Sequence, residues 1–260
     1  ELAFSLTVSS TQDNAAPTVP LANPESSWTQ GTSNTLSWAA ATDTGVGAIT
    51  YLAERSSSPV FATIDATVGW GAATTAAFAG LADGSVHYYR VKARDAFLRE
   101  TAYSTLVSSG QDSAAPTVPT MVAEPAFTAG TDNTVSWTSS SDNGIGGIEY
   151  QAQLATNALF TTGVSTAAFQ SGTSFTFPGL TSGQSYFFRA RARDGFAQNS
   201  AFSASTSSVQ DGLAPPVPVM VGEPAFTQGL SNTVSWQASA DAGSGNVQYW
   251  IQYSTSPTFA

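Results

Sequence analysis

The chain has 260 residues, 42% hydrophobic and 11% aromatic, which is material for packed cores rather than disorder despite the abundant Ser, Thr, Gly and Ala. Only 10% are charged, and 8 basic against 18 acidic residues give a net charge of −10, a balance that repels phosphate backbones and argues against nucleic acid as a partner. Cysteine is absent, which excludes disulfide staples and thiolate metal sites, and no apolar run approaches the ~20 residues of a membrane helix.

In chain order, residues 1–12 read as the last strand of a preceding repeat. Ala3-Phe4-Ser5 matches Ala102-Tyr103-Ser104 and Ala201-Phe202-Ser203 at steps of 99 positions. Residues 13–111 and 112–210 form two complete units at that same step. Asp13, Asp112 and Asp211 open the segments Asp-Asn-Ala-Ala-Pro, Asp-Ser-Ala-Ala-Pro and Asp-Gly-Leu-Ala-Pro. Trp38, Trp137 and Trp236 follow, then Tyr51, Tyr150 and Tyr249, then Phe61, Phe160 and Phe259. Residues 211–260 read as the first half of a further repeat. Alone they would leave Val234, Trp236, Tyr249 and Ile251 in water, at about 1.5–3 kcal/mol for each large apolar side chain. The array is therefore expected to continue in both directions or to be completed by a neighbouring molecule, with any export signal outside these residues.

Within a unit every signal is β. Asn133–Trp137, Ile148–Leu154, Ser174–Phe177 and Tyr186–Ala192 are short alternating runs, separated by Gly, Pro, Asp and Ser clusters at the spacing of a sandwich. The clearest strand lies within Gly183–Phe196. There Phe188, Ala190 and Ala192 take one face and Arg189, Arg191 and Arg193 the other. Arg90, Lys92 and Arg94 repeat the pattern 99 positions earlier around Val91 and Ala93. Of the eight basic residues only Arg55 lies apart from these two segments, Arg99 sitting just past the first. The predicted fold class is all-β, as tandem sandwiches in an elongated array. The short Ala-Pro links predict a semi-rigid string, at about 30–40 Å per unit for strands of about ten residues.

Pro116, Trp137, Tyr150, Gly179-Leu180-Thr181-Ser182-Gly183-Gln184-Ser185-Tyr186 and Arg189–Asp194 together resemble a fibronectin type III domain, and Pro17, Trp38, Tyr51, Leu81 and Arg90–Asp95 are similar to it. The Asp-x-x-Ala-Pro openings resemble tandem immunoglobulin-like modules of bacterial surface and secreted proteins. The resemblance spans essentially the whole chain and implies a fold more than a function. It implies a tyrosine corner at Tyr186, six positions after Leu180. The same position after Leu81 is His87, the single histidine. His87 reads as a buried donor in place of the hydroxyl, or as a pH-sensitive group.

Catalysis finds little material. There is no Cys/His pair, no His-Glu-x-x-His, no Gly-x-Ser-x-Gly and no glycine-rich loop leading into a helix. The resemblance implies that the incoming linker and two loops share one pole of each sandwich. That pole gathers Asp13, Asp43 and Asp95, then Asp112, Asp142 and Asp194, with Asp211 and Asp241 opening a third set. Calcium takes six to eight oxygens and is the ion such a pole would hold. Asp and Gly are equally what turns are built from, and Arg94 and Arg193 stand ready in sequence to neutralise their neighbours.

Arg90, Lys92, Arg94, Arg189, Arg191 and Arg193 are either a docking face for acidic glycan or an acidic domain, or a face laced to Glu54, Glu149, Gln151 and Gln153 with Tyr88 and Phe187 stacked nearby. Trp38, Trp137 and Trp236 read as core, and Trp28 and Trp70 align with Phe127 and Phe169 as packing aromatics. Trp250 falls on the outward register of its strand and reads as a partner contact.

The expected function is a non-catalytic structural or adhesive array on a bacterial surface or outside the cell: a stalk, surface-layer or filament subunit. Its partners would be copies of itself, neighbouring repeats or surface glycans. The alternative is an ancillary carbohydrate-binding or spacer module of a secreted polysaccharide-degrading enzyme.

Overall fold

Strict alternation on a strand sends every second side chain to the same face, so Leu36 and Trp38 must lie together, as must Tyr89, Val91 and Ala93. The computed structural model, which describes residues 10, 12–45, 47–243 and 245–259, places them in one core. Seventeen strands and no helix occur among the described residues. The strand expected over residues 1–12 falls outside them except at Ser10 and Gln12.

The first sandwich has a three-stranded sheet of β1 (Leu21–Ala22), β3 (Ser33–Ala39) and β6 (Thr75–Ala79), with β3 in the middle. Its second sheet runs in the order β2 (Trp28–Gln30), β8 (Val107–Asp112), β7 (Val86–Arg94), β4 (Thr50–Ser56), β5 (Ala66–Gly71). Leu36, Trp38 and Phe78 from one sheet meet Tyr51, Tyr89 and Val91 from the other, and Leu81 closes the end.

The second sandwich repeats the plan. β10 (Asn133–Ser136) pairs β13 (Ser174–Phe177), opposite the sheet β12 (Ser165–Thr166), β11 (Glu149–Ala155), β14 (Ser185–Arg193), β15 (Thr206–Asp211), β9 (Phe127–Ala129). Its core holds Val135, Trp137, Tyr150, Phe177, Leu180 and Phe188. By contact the chain divides into two units. Of the described residues, one takes in those up to Pro116 with Ser141–Gly147 and Asp194–Gln198, and the other holds Thr117–Ser140, Ile148–Arg193 and those from Asn199 onward.

Two polar devices and one packed ring support each core. The hydroxyl of Tyr51 accepts a hydrogen bond from Ala41 N–H at 2.8 Å, and that of Tyr150 from Ser140 N–H at 2.7 Å. Gln111, in the parallel pair β2–β8, donates its side-chain amide to Gly31 O and, at 2.9 Å, to Thr29 O. Gln210 donates likewise to Gly130 O at 2.7 Å and Asp132 O at 3.2 Å across the parallel pair β9–β15. Trp28 lies over Gly110, where a Cβ would come within 2.6 Å of the indole. In the second sandwich the matching pair is Phe127 beside Val209, the smaller ring leaving room for the larger partner.

The residues after Asp211 begin in the same way. β16 (Val219–Met220) pairs β17 (Trp236–Gln237), Trp236 meets Tyr249 at 5.4 Å between ring centres, and Ser239 N–H donates to the Tyr249 hydroxyl. Tyr249 and Ile251 are exposed, while Val234 and Trp236 are half-buried. The strand expected around Trp250 is not formed. β4 and β11 are held extended by hydrogen bonds to β7 and β14, whereas residues 246–253 have no strand beside them among those described.

Candidate functional site

Two features bring the predicted residues together. The first is the outward face of β7 and β14. Glu54 lies opposite Arg90, and Gln153, Gln151 and Glu149 lie opposite Arg189, Arg191 and Arg193. Nε and Nη2 of Arg90 both donate to one oxygen of Glu54, at 2.8 and 2.7 Å. Arg189 makes the same fork to Gln153, and Arg191 to Gln151. Arg193 pairs with Glu149, Arg94 donates to Thr50, and Lys92 reaches Glu100, whose hydrogen bond pushes the ammonium pKa up.

Aromatic rings interleave with the cations, but they are not the ones expected. Arg90 lies between Phe61 and Tyr103, at 4.0 and 3.8 Å from their centres. Arg189 lies between Phe160 and Phe202. Trp70 covers Arg94 at 4.1 Å, and Phe169 covers Arg193 at 3.7 Å. No such contact involves Tyr88 or Phe187 among the described residues, because they lie nearer the start of their strands than the stacked arginines. Trp70 and Phe169 are thus packing aromatics of the outer ladder. At about 0.5–1 kcal/mol for each exposed stack and at most about 1 for each exposed ion pair, the ladder stiffens the sheet without forming a cleft. Trp250 stands apart, 86% exposed.

The second feature is acidic. The side chains of Asp13, Asp43 and Asp95 each place an oxygen within 4.8 Å of the others, and so do those of Asp112, Asp142 and Asp194. Both groups lie in the unit that contains the first sandwich. The loops are built around them. A Cβ on Gly45 would come within 2.0 Å of the Asp13 carboxylate, and one on Gly144 within 2.2 Å of Asp112. Asp95 and Asp194 fold the following turns by accepting the N–H groups of Phe97 and Arg99, and of Phe196 and Gln198.

Neighbouring arginines do not neutralise these groups as the sequence suggests. Alternation turns Arg94 and Arg193 outward to the ladder while Asp95 and Asp194 turn in. The first group is instead met by Arg99, 2.8 Å from Asp13 and 3.3 Å from Asp95. Burial, with Asp112 and Asp194 close by, raises the Asp142 pKa against the pull of the Gly144 and Asn143 amides. Asp211 lies against Gly243, and Asp241 accepts from Gly243 N–H in the turn of the third repeat.

The Tyr186 hydroxyl accepts from Thr181 N–H at 3.0 Å, the corner that the resemblance implied. His87 is buried in its place, but its Nε2 meets Ser85 Oγ at 2.8 Å and its Nδ1 has no partner among the described residues. Burial lowers the His87 pKa, Arg55 lowers it further and Asp65 partly opposes them. The unfolded chain, with an ordinary histidine near 6.5, then binds more protons than the folded one. The contribution is full above pH 6.5 and is lost as pH falls from there towards the depressed folded value. The melting midpoint should therefore fall between pH 7.5 and 5.5 by more in the parent than in His87→Tyr. An equal fall in both, measured by circular dichroism, removes His87 as the cause.

No family model matches the chain. Chitinase A1 of Niallia circulans is 35% identical over 201 residues, which cover 75% of this chain and 26% of that protein. Exoglucanase B of Cellulomonas fimi is 29% identical over 256 residues, covering 94% of this chain and 22% of that protein. The chain thus spans about a quarter of the length of the curated relatives it matches. Among solved structures, the FN1–FN3 domains of chicken CNTN1 align with 86% of this chain and 76% of theirs, at 13% identity and a TM-score of 0.36.

Proposed function

We propose that the chain is a non-catalytic ancillary segment of a secreted bacterial enzyme that degrades polysaccharide, and that it acts as a spacer. The carrying observation is the similarity to Chitinase A1 and Exoglucanase B, in each of which the matched part is about a quarter of an enzyme. The chemistry of the residues agrees. The one histidine is buried against Ser85, and the carboxylates that converge do so in loops packed around them rather than across a cleft. A spacer is favoured over a sugar-binding module because the outward rings of both sandwiches, Trp70, Tyr103, Phe169 and Phe202, are taken up by cations instead of forming a free row.

The open reading frame that contains these residues should also encode a glycoside hydrolase domain. Deletion of residues 13–210 from that enzyme should slow hydrolysis of insoluble polymer several-fold and leave soluble oligosaccharides unaffected. A reading frame with a cell-wall anchor and no hydrolase domain would instead support a structural or adhesive array, the reading that the 99-position repeat favours.

A further inference from the structure

The two aspartate groups differ at one position. Arg99 and Gln198 are equivalent by the 99-position step, and each follows its group's third aspartate by four residues. In the first group Arg99 Nη1 bonds Asp13 Oδ1 and Asp95 Oδ2, and its Nη2 bonds Asp13 O. One guanidinium thus stands against three carboxylates. In the second group the Gln198 side chain gives one neutral hydrogen bond, 3.1 Å to Asp112 Oδ1, and among the described residues no cation replaces the guanidinium. Asp112 Oδ2 accepts from Ile145 N–H.

The consequence appears atom by atom. Asp95 Oδ2 has Arg99, but Asp194 Oδ2, in a residue 3% exposed, has no hydrogen-bond partner among the described residues, and neither has Asp142 Oδ2. In the first group Asp13 Oδ2 is the one buried oxygen left so among the described residues. A buried carboxylate oxygen without a donor, beside two more carboxylates, is strongly unfavourable unless a cation meets it. The donors are all oxygen, with no sulfur or imidazole among them, which selects a hard ion. Calcium accepts irregular oxygen shells completed by water, whereas magnesium demands a near-ideal octahedron.

We propose that Asp112, Asp142 and Asp194 bind one calcium ion, and that in the equivalent group Arg99 is a built-in counter-ion that takes the place of calcium. The chain therefore carries one such ion among these two groups.

Isothermal titration of the chelator-treated 260-residue chain with calcium chloride near neutral pH tests this, alongside melting curves in calcium and in chelator. The parent should bind one calcium per chain and melt at higher temperature with it. Gln198→Arg should bind none, and its midpoint in chelator should not fall below the parent's, since the guanidinium replaces the ion. Asp194→Asn should also lose the ion. Arg99→Gln should bind two. A parent that takes up no calcium at millimolar concentration overturns the proposal, as does a folded Gln198→Arg that still binds one. An Arg99→Gln chain that binds only one overturns the role given to Arg99.

Discussion

Phe188→Ala should lower the unfolding free energy of the second sandwich by about 3–5 kcal/mol, the usual cost of removing a buried ring and leaving its cavity. Phe188 is fully buried at the centre of β14, with Phe177 from the opposite sheet 5.7 Å away between ring centres. Collapse around the void is hindered because Ala190 and Ala192 follow it on the same face and cannot extend to fill it. Domains of this size are stable by roughly 5–15 kcal/mol, so the variant approaches its threshold. The adjacent change Arg189→Ala is the internal control. It removes two ring contacts and the fork to Gln153 from the outer face, at about 1.5–3 kcal/mol in total. Urea unfolding of both variants measures the contrast. If Arg189→Ala were the more damaging, the outer ladder rather than the core would be holding the sheet.

Gln210→Ala should cost about 2–4 kcal/mol, an unusual price for a surface-type residue, because its amide is the donor for Gly130 O and Asp132 O where the chain turns out of β9. Gln210 is 1% exposed, so its amide is a donor held inside the fold, and each carbonyl left without one costs about 1–3 kcal/mol. Gln210→Glu keeps the shape but directs a carboxylate at those carbonyls, and at neutral pH it should be at least as destabilising. Gln111 has the same role at Thr29 O and Gly31 O, so Gln111→Ala should behave alike in the first sandwich. Unfolding curves, with hydrogen exchange at β2 and β9 as the local probe, check both. A loss below about 0.5 kcal/mol, the scale of an ordinary surface change, would mean that the amide is dispensable.

The architecture was legible because the sequence writes it locally. Alternation from Tyr186 to Arg193 separates the core face from the ladder, and the structure places each of those residues on the side expected. The pairing of Arg189, Arg191 and Arg193 with Gln153, Gln151 and Glu149 was legible for the same reason, since both strands carry their own period of two. The aspartate groups were legible as repeated loops. What differed depended on distance along the chain. Tyr103 and Phe202 come from the approach to β8 and β15, and Trp70 and Phe169 from the opposite edge, so the stacking order follows from loop lengths rather than from β7 or β14 themselves. Gln111 and Gln210 repeat as faithfully as any tryptophan, yet a glutamine gives no sign of burial until a parallel neighbour presents its carbonyls. Arg99 and Gln198 sit four residues beyond an aspartate in a turn, where spacing alone does not show which carboxylate a side chain will reach.

The outer ladder also bears on how the molecule behaves in a crowd. Six of the eight cationic side chains are bound up in the ladder, and Arg99 is bound between Asp13 and Asp95. A passing molecule therefore meets a net charge of −10 with few free cations to grip. Two such chains repel through their net charge, with a range of about 10 Å at 0.1 M salt. The cations that could have formed adhesive patches are spent inside each sheet, which gives the surface the colloidal character of a dilute polyanion: concentrated solutions should stay dispersed at neutral pH and lose that resistance as the carboxylates protonate.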